Sequence, residues 1–342
     1  MTIAPISGVS LPTLTIPVTP VRAVAATVHA NTPLPELNPA QIQALAVAEV
    51  TRGAAVRQGG LAPLIADLSQ AAQDQALPSP VRDAAVRVLA HAPPLASNLT
   101  GLDVAKAMAR SGLFLEANLA AAPLASPVGH DLKASLLMLR QALSTWLAAA
   151  PAPQGPRSAA VPPPPYRAGG TRAQPPAVSK LSPGGPPQVM GQELARETEA
   201  ALGRVELLQI ASLPAETGPE AQVTRWMFEM PFVTPQGASV AQFEVSRDGR
   251  GEAGELEPVW RAAFSLDAEP LGPIHARVSL TGAQAGVSLW AERAEGLDRL
   301  RADQGLLSAA LAAVQLRAEI AVHAGAPPSR APEAGRLVDQ TS

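Results

Sequence analysis

Twelve prolines fall within the 38 residues from 151 to 188, among them the unbroken run Pro162 to Pro165, and the same stretch holds no acidic side chain. Proline removes a backbone donor, fixes φ, and steers the residue before it away from helix. Neither a helix interior nor a central strand survives that density. The apolar residues between the prolines are too few to offset the entropy of ordering the backbone. The stretch reads as a disordered linker with polyproline-II character, a semi-rigid spacer. It leaves the 342-residue chain with two parts to fold, one on either side.

Charge shifts at the same boundaries. Residues 1–150 are net +1, residues 151–188 are +4 through Arg157, Arg167, Arg172 and Lys180, and residues 189–342 are −8, giving −3 overall. That balance argues against a nucleic-acid binder. Cysteine is absent, which excludes disulfide scaffolds, thiolate nucleophiles and Cys-ligated metals. The five histidines, at 29, 91, 130, 275 and 323, include no i, i+4 pair to grip zinc from one helix. The first residues lack a basic stretch followed by an apolar run, and no run of 18 apolar residues exists. No Sec signal and no membrane insertion are expected, and no metal or cofactor.

Before the Pro-rich block the pattern is helical. Helices are predicted over Gln41 to Arg57, Leu61 to Ala76, Ser79 to about His91, Asp103 to Ala121 and Asp131 to Ala149. Few large side chains are available there, so weak packing is expected. After the block a helix runs from about Gln192 to Ser212, and the period then changes to two. Trp226, Phe228, Met230 and Phe232 share a face opposite Arg225 and Glu229. Similar alternation follows through Ala241 to Val245, Trp260 to Leu266, Ile274 to Leu280 and Val287 to Ala291. A helix from Ala294 to Gln315 and a strand from Glu319 to His323 close the series. Seven of the ten aromatics lie between Trp226 and Trp290, which predicts one rigid core there containing Trp226, Phe228, Trp260, Phe264 and Leu311.

The fold class is therefore multi-part. Residues 1–34 are expected to be a disordered leader and 35–150 a helical region, which makes the N-terminal half helical and partly disordered, and 151–188 the Pro-rich linker. Residues 189–324 form a compact α+β domain (helix, antiparallel-rich sheet, helix, strand), and 325–342 a disordered tail. Little in this pattern carries chemistry. Gly249 to Gly254 matches G-x-G-x-x-G, but no helix follows it and Asp248, Glu252, Glu255 and Glu257 would repel phosphate, so it reads as a strand connection. His275 and His323 lie on the polar sides of strands and read as surface residues. No catalytic, cofactor-binding or metal residue stands out, and the chain is not expected to be an enzyme.

The ordered combination of "GRVELLQIASLP", "RWMFEMPF", "LGPIHARVSL" and "GVSLWAE" with the final helix and strand resembles the C-terminal domain of the bacterial flagellar hook-length control protein family. Arg204, Gln209, Trp226, Leu271, Gly272, Pro273, Leu300 and Leu311 carry the resemblance. A second stretch is similar to an N-terminal helical segment of some members, most recognisably in Ser111 to Glu116 and Asp131 to Lys133. The resemblance implies a regulator made in the cytoplasm and secreted through the flagellar export channel. It would stop hook export and switch the type III apparatus to filament-type substrates. Its partners would be a cytoplasmic domain of the export gate and hook or hook-cap subunits. A general interaction module or an injectisome-type length regulator is the alternative. Fully extended, the 188 residues before the C-terminal domain would reach roughly 620–680 Å, and as helix less than half that, so a ruler role depends on which helices survive in the channel.

Overall fold

A computed structural model of the chain describes residues 38–95, 99–121, 130–148, 161–167, 169–214, 223–248 and 257–328. The expectations for residues 1–34, for 151–160, for the Gly249 to Gly254 connection and for 329–342 lie outside the described residues. The chain divides into two units, Met1–Gln43 and Ala44–Ser342. In the first, Asn38 and Gln41 cap each other at the start of helix α1 (Pro39–Arg57): Gln41 N–H donates to Asn38 Oδ1 at 2.8 Å and Asn38 N–H to Gln41 Oε1 at 3.0 Å.

In the second unit, α2 (Leu61–Ala71) buries Leu61, Leu64, Ile65 and Leu68, and α3 (Ser79–Leu89) buries Val81, Ala84, Ala85 and Val88. The single helix expected from Asp103 to Ala121 is two, α4 (Gly101–Ala109) and α5 (Leu115–Ala121). Thr100 and Asp103 close a capping box on α4, whereas Gly112, at φ +93°, breaks the run. A Cβ at Gly112 would sit 2.7 Å from Lys133 Cβ, so only glycine lets α6 (Leu132–Leu147) approach the break. Asp131 caps α6 by accepting from Ala134 N–H at 3.1 Å. Helix α7 (Pro187–Ala211) begins five residues before the expected start, with proline in its first turn, where a missing N–H does no harm.

Among the described residues, six strands form one sheet in the order β1-β2-β3-β4-β5-β6: β1 (Val223–Thr234), β2 (Gly237–Asp248), β3 (Trp260–Ala268), β4 (Gly272–Thr281), β5 (Gln284–Ala291) and β6 (Arg317–Ala324). The first five are an antiparallel meander. Helix α8 (Ala294–Ala313) then returns the chain so that β6 pairs parallel to β5. The helical N-terminal half and the α+β sheet region are thus as the sequence indicates.

The register sorts the side chains into two faces. Phe228, Phe243 and Phe264 lie across from one another on the apolar face, with ring centroids 4.9 and 5.6 Å apart, and Trp226 stacks on Trp260 at 6.4 Å. Glu229, Gln242, Ser265 and His275 lie on the other, polar face. The polar face is the one that meets α2, α3, α6 and α7, while Leu95 and, from α4, Ala107 pack against Met230, Phe232 and Ala241 on the apolar face. Ala238 and Val240 of the polar face share a continuous core with Leu64 of α2, Val88 of α3, Leu139 of α6 and Leu202 of α7.

That arrangement corrects two expectations. The aromatic cluster is not the fully buried centre: Phe228 is buried, Trp226, Phe264 and Leu311 are half-buried, and Trp260 is 39% exposed. Leucines of α2 and α6 are as completely buried as Phe228, so those two helices pack fully, whereas α1 buries only Ala54, α5 only Leu115 and α4 nothing. Over residues 161–167 and 169–188, moreover, the Pro-rich stretch is not a free spacer. Gln58 donates to Pro162 O at 2.7 Å, Arg204 to Pro163 O at 2.7 Å, and Gln70 to Leu181 O at 3.0 Å. Ala177 exchanges both backbone bonds with Ala238 at 2.8 Å, on the part of β2 that β3 does not reach. Proline forbids ladders, but its carbonyls accept freely, and side chains of the fold supply the donors.

Candidate functional site

The residues that carried the resemblance do not converge on one point; they hold joints. Arg204 Nη2 lies 2.8 Å from Glu229 Oε1, and its Nη1 donates to Gln58 Oε1 at 3.2 Å as well as to Pro163 O. Gln174 Nε2 donates to the same Glu229 oxygen at 2.6 Å. One turn and a half along α7, Gln209 Nε2 donates to Gly112 O and to Glu116 Oε2, both at 2.7 Å, while its Oε1 accepts from Lys133 Nζ at 2.7 Å. Lys133 also pairs with Glu116. The recognisable N-terminal pieces, Ser111 to Glu116 and Asp131 to Lys133, therefore meet Gln209 directly. At the far end of the sheet, Leu271, Gly272 and Pro273 form the turn into β4. Gly272 has φ +75°, and a Cβ there would lie 2.5 Å from Arg293 Cδ. Trp226 lies on the apolar face, and Leu300 and Leu311 are half-buried on α8.

Between these joints the polar face opens into a groove of about 1170 Å³. Its floor is made by alternate residues of β2 to β6, including Ser246, Ala263, His275, Ser288 and Ala321. Gly169 to Ala173 of the Pro-rich strap form one wall, and Ala326 and Pro327, beyond β6, contribute to another. Two ion pairs line it, Arg225 with Glu244 and Arg261 with Asp248 at 3.6 Å. Arg277 stacks over Trp290, 5.3 Å from the ring centroid.

His275 is buried in the groove floor, not exposed as its strand position suggested. Its Nε2 lies 2.9 Å from Glu292 Oε1 and its Nδ1 2.7 Å from Ser265 Oγ, which lies 2.8 Å from Thr171 Oγ1; in the neutral ring with Nε2–H donating to the carboxylate, Nδ1 accepts from Ser265, which then accepts from Thr171. Serine, histidine and carboxylate in a chain suggest hydrolase chemistry, but a nucleophile must present its oxygen to a substrate. Ser265 is entirely buried, its Oγ engaged by Thr171 and His275. The relay ties the strap to the sheet. Periodicity put His275 on the polar side, but nothing in the sequence marked that side as the covered one. His323 is exposed and stacks on Trp290 at 5.2 Å.

Among the described residues, carboxylate oxygens of Asp67, Glu193 and Glu197 come within 4.8 Å of one another between α2 and α7. Burial, then Asp67 and Glu193 beside it, push the Glu197 carboxyl up to about 9. At neutral pH that group keeps its proton, which relieves the repulsion a cation would otherwise have to neutralise.

No curated protein and no solved structure matches the chain. Residues 248–331 match a family model described as flagellar hook-length control protein FliK. The match runs from the end of β2 through α8 and β6, and so takes in most of the groove floor, His275, Glu292 and the Leu271-Gly272-Pro273 turn. The C-terminal region of this chain carries the domain of the flagellar hook-length control family.

Proposed function

We propose that the chain regulates hook length and is itself an export substrate: made in the cytoplasm, it leaves through the flagellar channel. Its C-terminal domain ends hook export and switches the apparatus to filament-type subunits by contact with a cytoplasmic domain of the export gate. Hook or hook-cap subunits are the second set of partners. The family match over residues 248–331 carries this reading. No helix among the described residues is long and apolar enough to cross a membrane. The action is one of binding: the serine of the Thr171–Ser265–His275–Glu292 relay is sealed, and the groove beside it is wide and lined by paired charges. In this reading the folded and measuring states exclude each other. The strap and the helices that pack on α7 can span a channel only when unfolded.

The test is a strain lacking the chain, with hooks measured by electron microscopy. Overgrown hooks without filament are expected. Hooks of normal length carrying filament would overturn the reading.

A further inference from the structure

Asp267 stands on β3, two residues beyond Ser265 on the polar face, lining the groove with only 9% of its surface exposed. Its Oδ1 has no hydrogen-bond partner among the described residues. A buried carboxylate oxygen left without a donor is destabilising, and a fold keeps one where something else completes it. The cation that acts on Asp267 is Arg293, yet Arg293 donates to both oxygens of Glu269 at 3.1 Å. Burial outweighs Arg293 and pushes the Asp267 carboxyl above its ordinary range. At the same end of the groove Glu292 keeps 41% of its side chain exposed while holding His275. Glu244 and Asp248, nearer β1, have arginine partners of their own.

The size of the groove says what kind of ligand fits. Crossing from β2 to β6 at about 4.8 Å per strand spans roughly 19 Å, the length of about six extended residues. Strands β2 to β5 beneath are paired on both sides and β6 is the sheet edge, so a chain lying across the floor is read by its side chains and does not join as a strand. Oδ1 itself is closed to solvent, so a guanidinium or ammonium group would meet the Asp267 carboxylate through the 9% of the residue that stays open to the groove, and a charge-assisted bond to a buried carboxylate is among the stronger polar contacts.

We infer that this groove binds an extended peptide segment of a partner protein, with a basic side chain of that segment seated on Asp267 beside Glu292. The inference rests on the reading that the domain acts by protein–protein contact, and it names the place and the chemistry of that contact.

The test uses the full chain and an acetylated, amidated hexapeptide Ala-Ser-Ala-Arg-Ser-Ala, with citrulline in place of arginine as the uncharged control, followed by NMR and calorimetry. Saturable binding of the arginine peptide is expected, with amide shifts centred on Ser265, Asp267, His275 and Glu292. Asp267→Asn, nearly isosteric, should weaken it at least tenfold at an unchanged melting temperature. Glu292→Gln should weaken it about threefold. Equal binding of the citrulline peptide, equal binding by Asp267→Asn, shifts confined to the apolar face, or no saturable binding would each overturn the assignment. Absent binding together with overgrown hooks in the deletion strain removes the groove proposal alone. Normal hooks together with Asp267-dependent binding remove the hook-length reading alone.

Discussion

Arg204 of α7 and Glu229 of β1 lie 2.8 Å apart with 2% and 0% of their side chains exposed, so an ion pair holds the seam between helices and sheet. Two charges in such a place are tolerated because neighbours complete them. Gln58 and Pro163 O take Arg204 donors that Glu229 leaves over, and Gln174 adds a donor to Glu229. The pair also joins three segments far apart in sequence, α7, β1 and the Pro-rich strap.

Removing one partner should therefore cost more than removing both. Arg204→Ala leaves the Glu229 charge buried and alone, and a loss of about 3–5 kcal/mol is expected. The double change Arg204→Met with Glu229→Met should recover much of it. Urea titration of both variants checks this, and a single variant milder than the double one would refute it.

Glu197 gives the chain a pH dependence of definite sign. Its ordinary value of 4.5 is raised to about 9 in the fold, chiefly by burial. The native state then holds a proton that the unfolded chain releases above pH 4.5. The stability this contributes is complete below 4.5, declines by up to roughly 1.4 kcal/mol per unit between 4.5 and 9, and is gone above 9. His91 works in the opposite direction, over a lower window that overlaps the first between 4.5 and 6.5. Burial first, then Arg110, push it from 6.5 down to about 4, so its effect is lost stability as pH falls from 6.5 to 4. Melting temperature measured from pH 7 to 9 should fall for the natural chain and stay flatter for Glu197→Gln. Parallel slopes would show that the carboxyl is not raised.

Gly112 and Gly101 make a paired test of backbone constraint. At Gly112 the positive φ and the 2.7 Å approach to Lys133 Cβ both exclude a side chain, so Gly112→Ala should cost more than about 1 kcal/mol. Gly101, in the first turn of α4, has nothing within 4 Å of a Cβ, and Gly101→Ala should be neutral or stabilising by a few tenths of a kcal/mol. Chemical denaturation distinguishes them; a reversed order would contradict the junction with α6.

The aromatic face predicts a gradient. Phe228→Ala should cost about 3–5 kcal/mol, Phe264→Ala about 1–2 kcal/mol, and Trp260→Ala less than 1 kcal/mol, following burial from complete to 39% exposed. Equal losses at all three would mean that this face is closed.

The strap should resist protease. Arg172 N–H donates to Gln242 Oε1 at 2.8 Å and Lys180 N–H to Asp67 Oδ1 at 2.7 Å, so trypsin should reach those two sites only as fast as the fold opens. Rapid cutting at Arg172 or Lys180 in the native protein would return the segment to a spacer. The same bonds mean that shortening residues 161–188, or deleting residues 192–324, disturbs a shared core. Point variants, not deletions, separate measuring from signalling.

Much of this architecture was legible in residue order. Period-two alternation located five strands and the apolar face they share, because in a pleated strand the side-chain period is fixed by local geometry. Period 3.6 located the helices, and Gly-Pro punctuation their ends, with α4 and α5 merged because Gly112 sits inside an otherwise unbroken helical pattern. Alternation also told which residues stand with Arg225, Glu229 and His275. It carried no information on which face of the sheet would be covered, since either can be if its polar groups find partners. Only the tertiary structure decided that the polar face meets α2, α3, α6 and α7, where Arg204, Gln58 and Thr171 arrive from distant segments to complete it. The Pro-rich strap shows the same division. Its composition determined that it could build neither helix nor strand of its own, but whether its carbonyls would meet water or buried donors depended on side chains more than forty residues away along the chain.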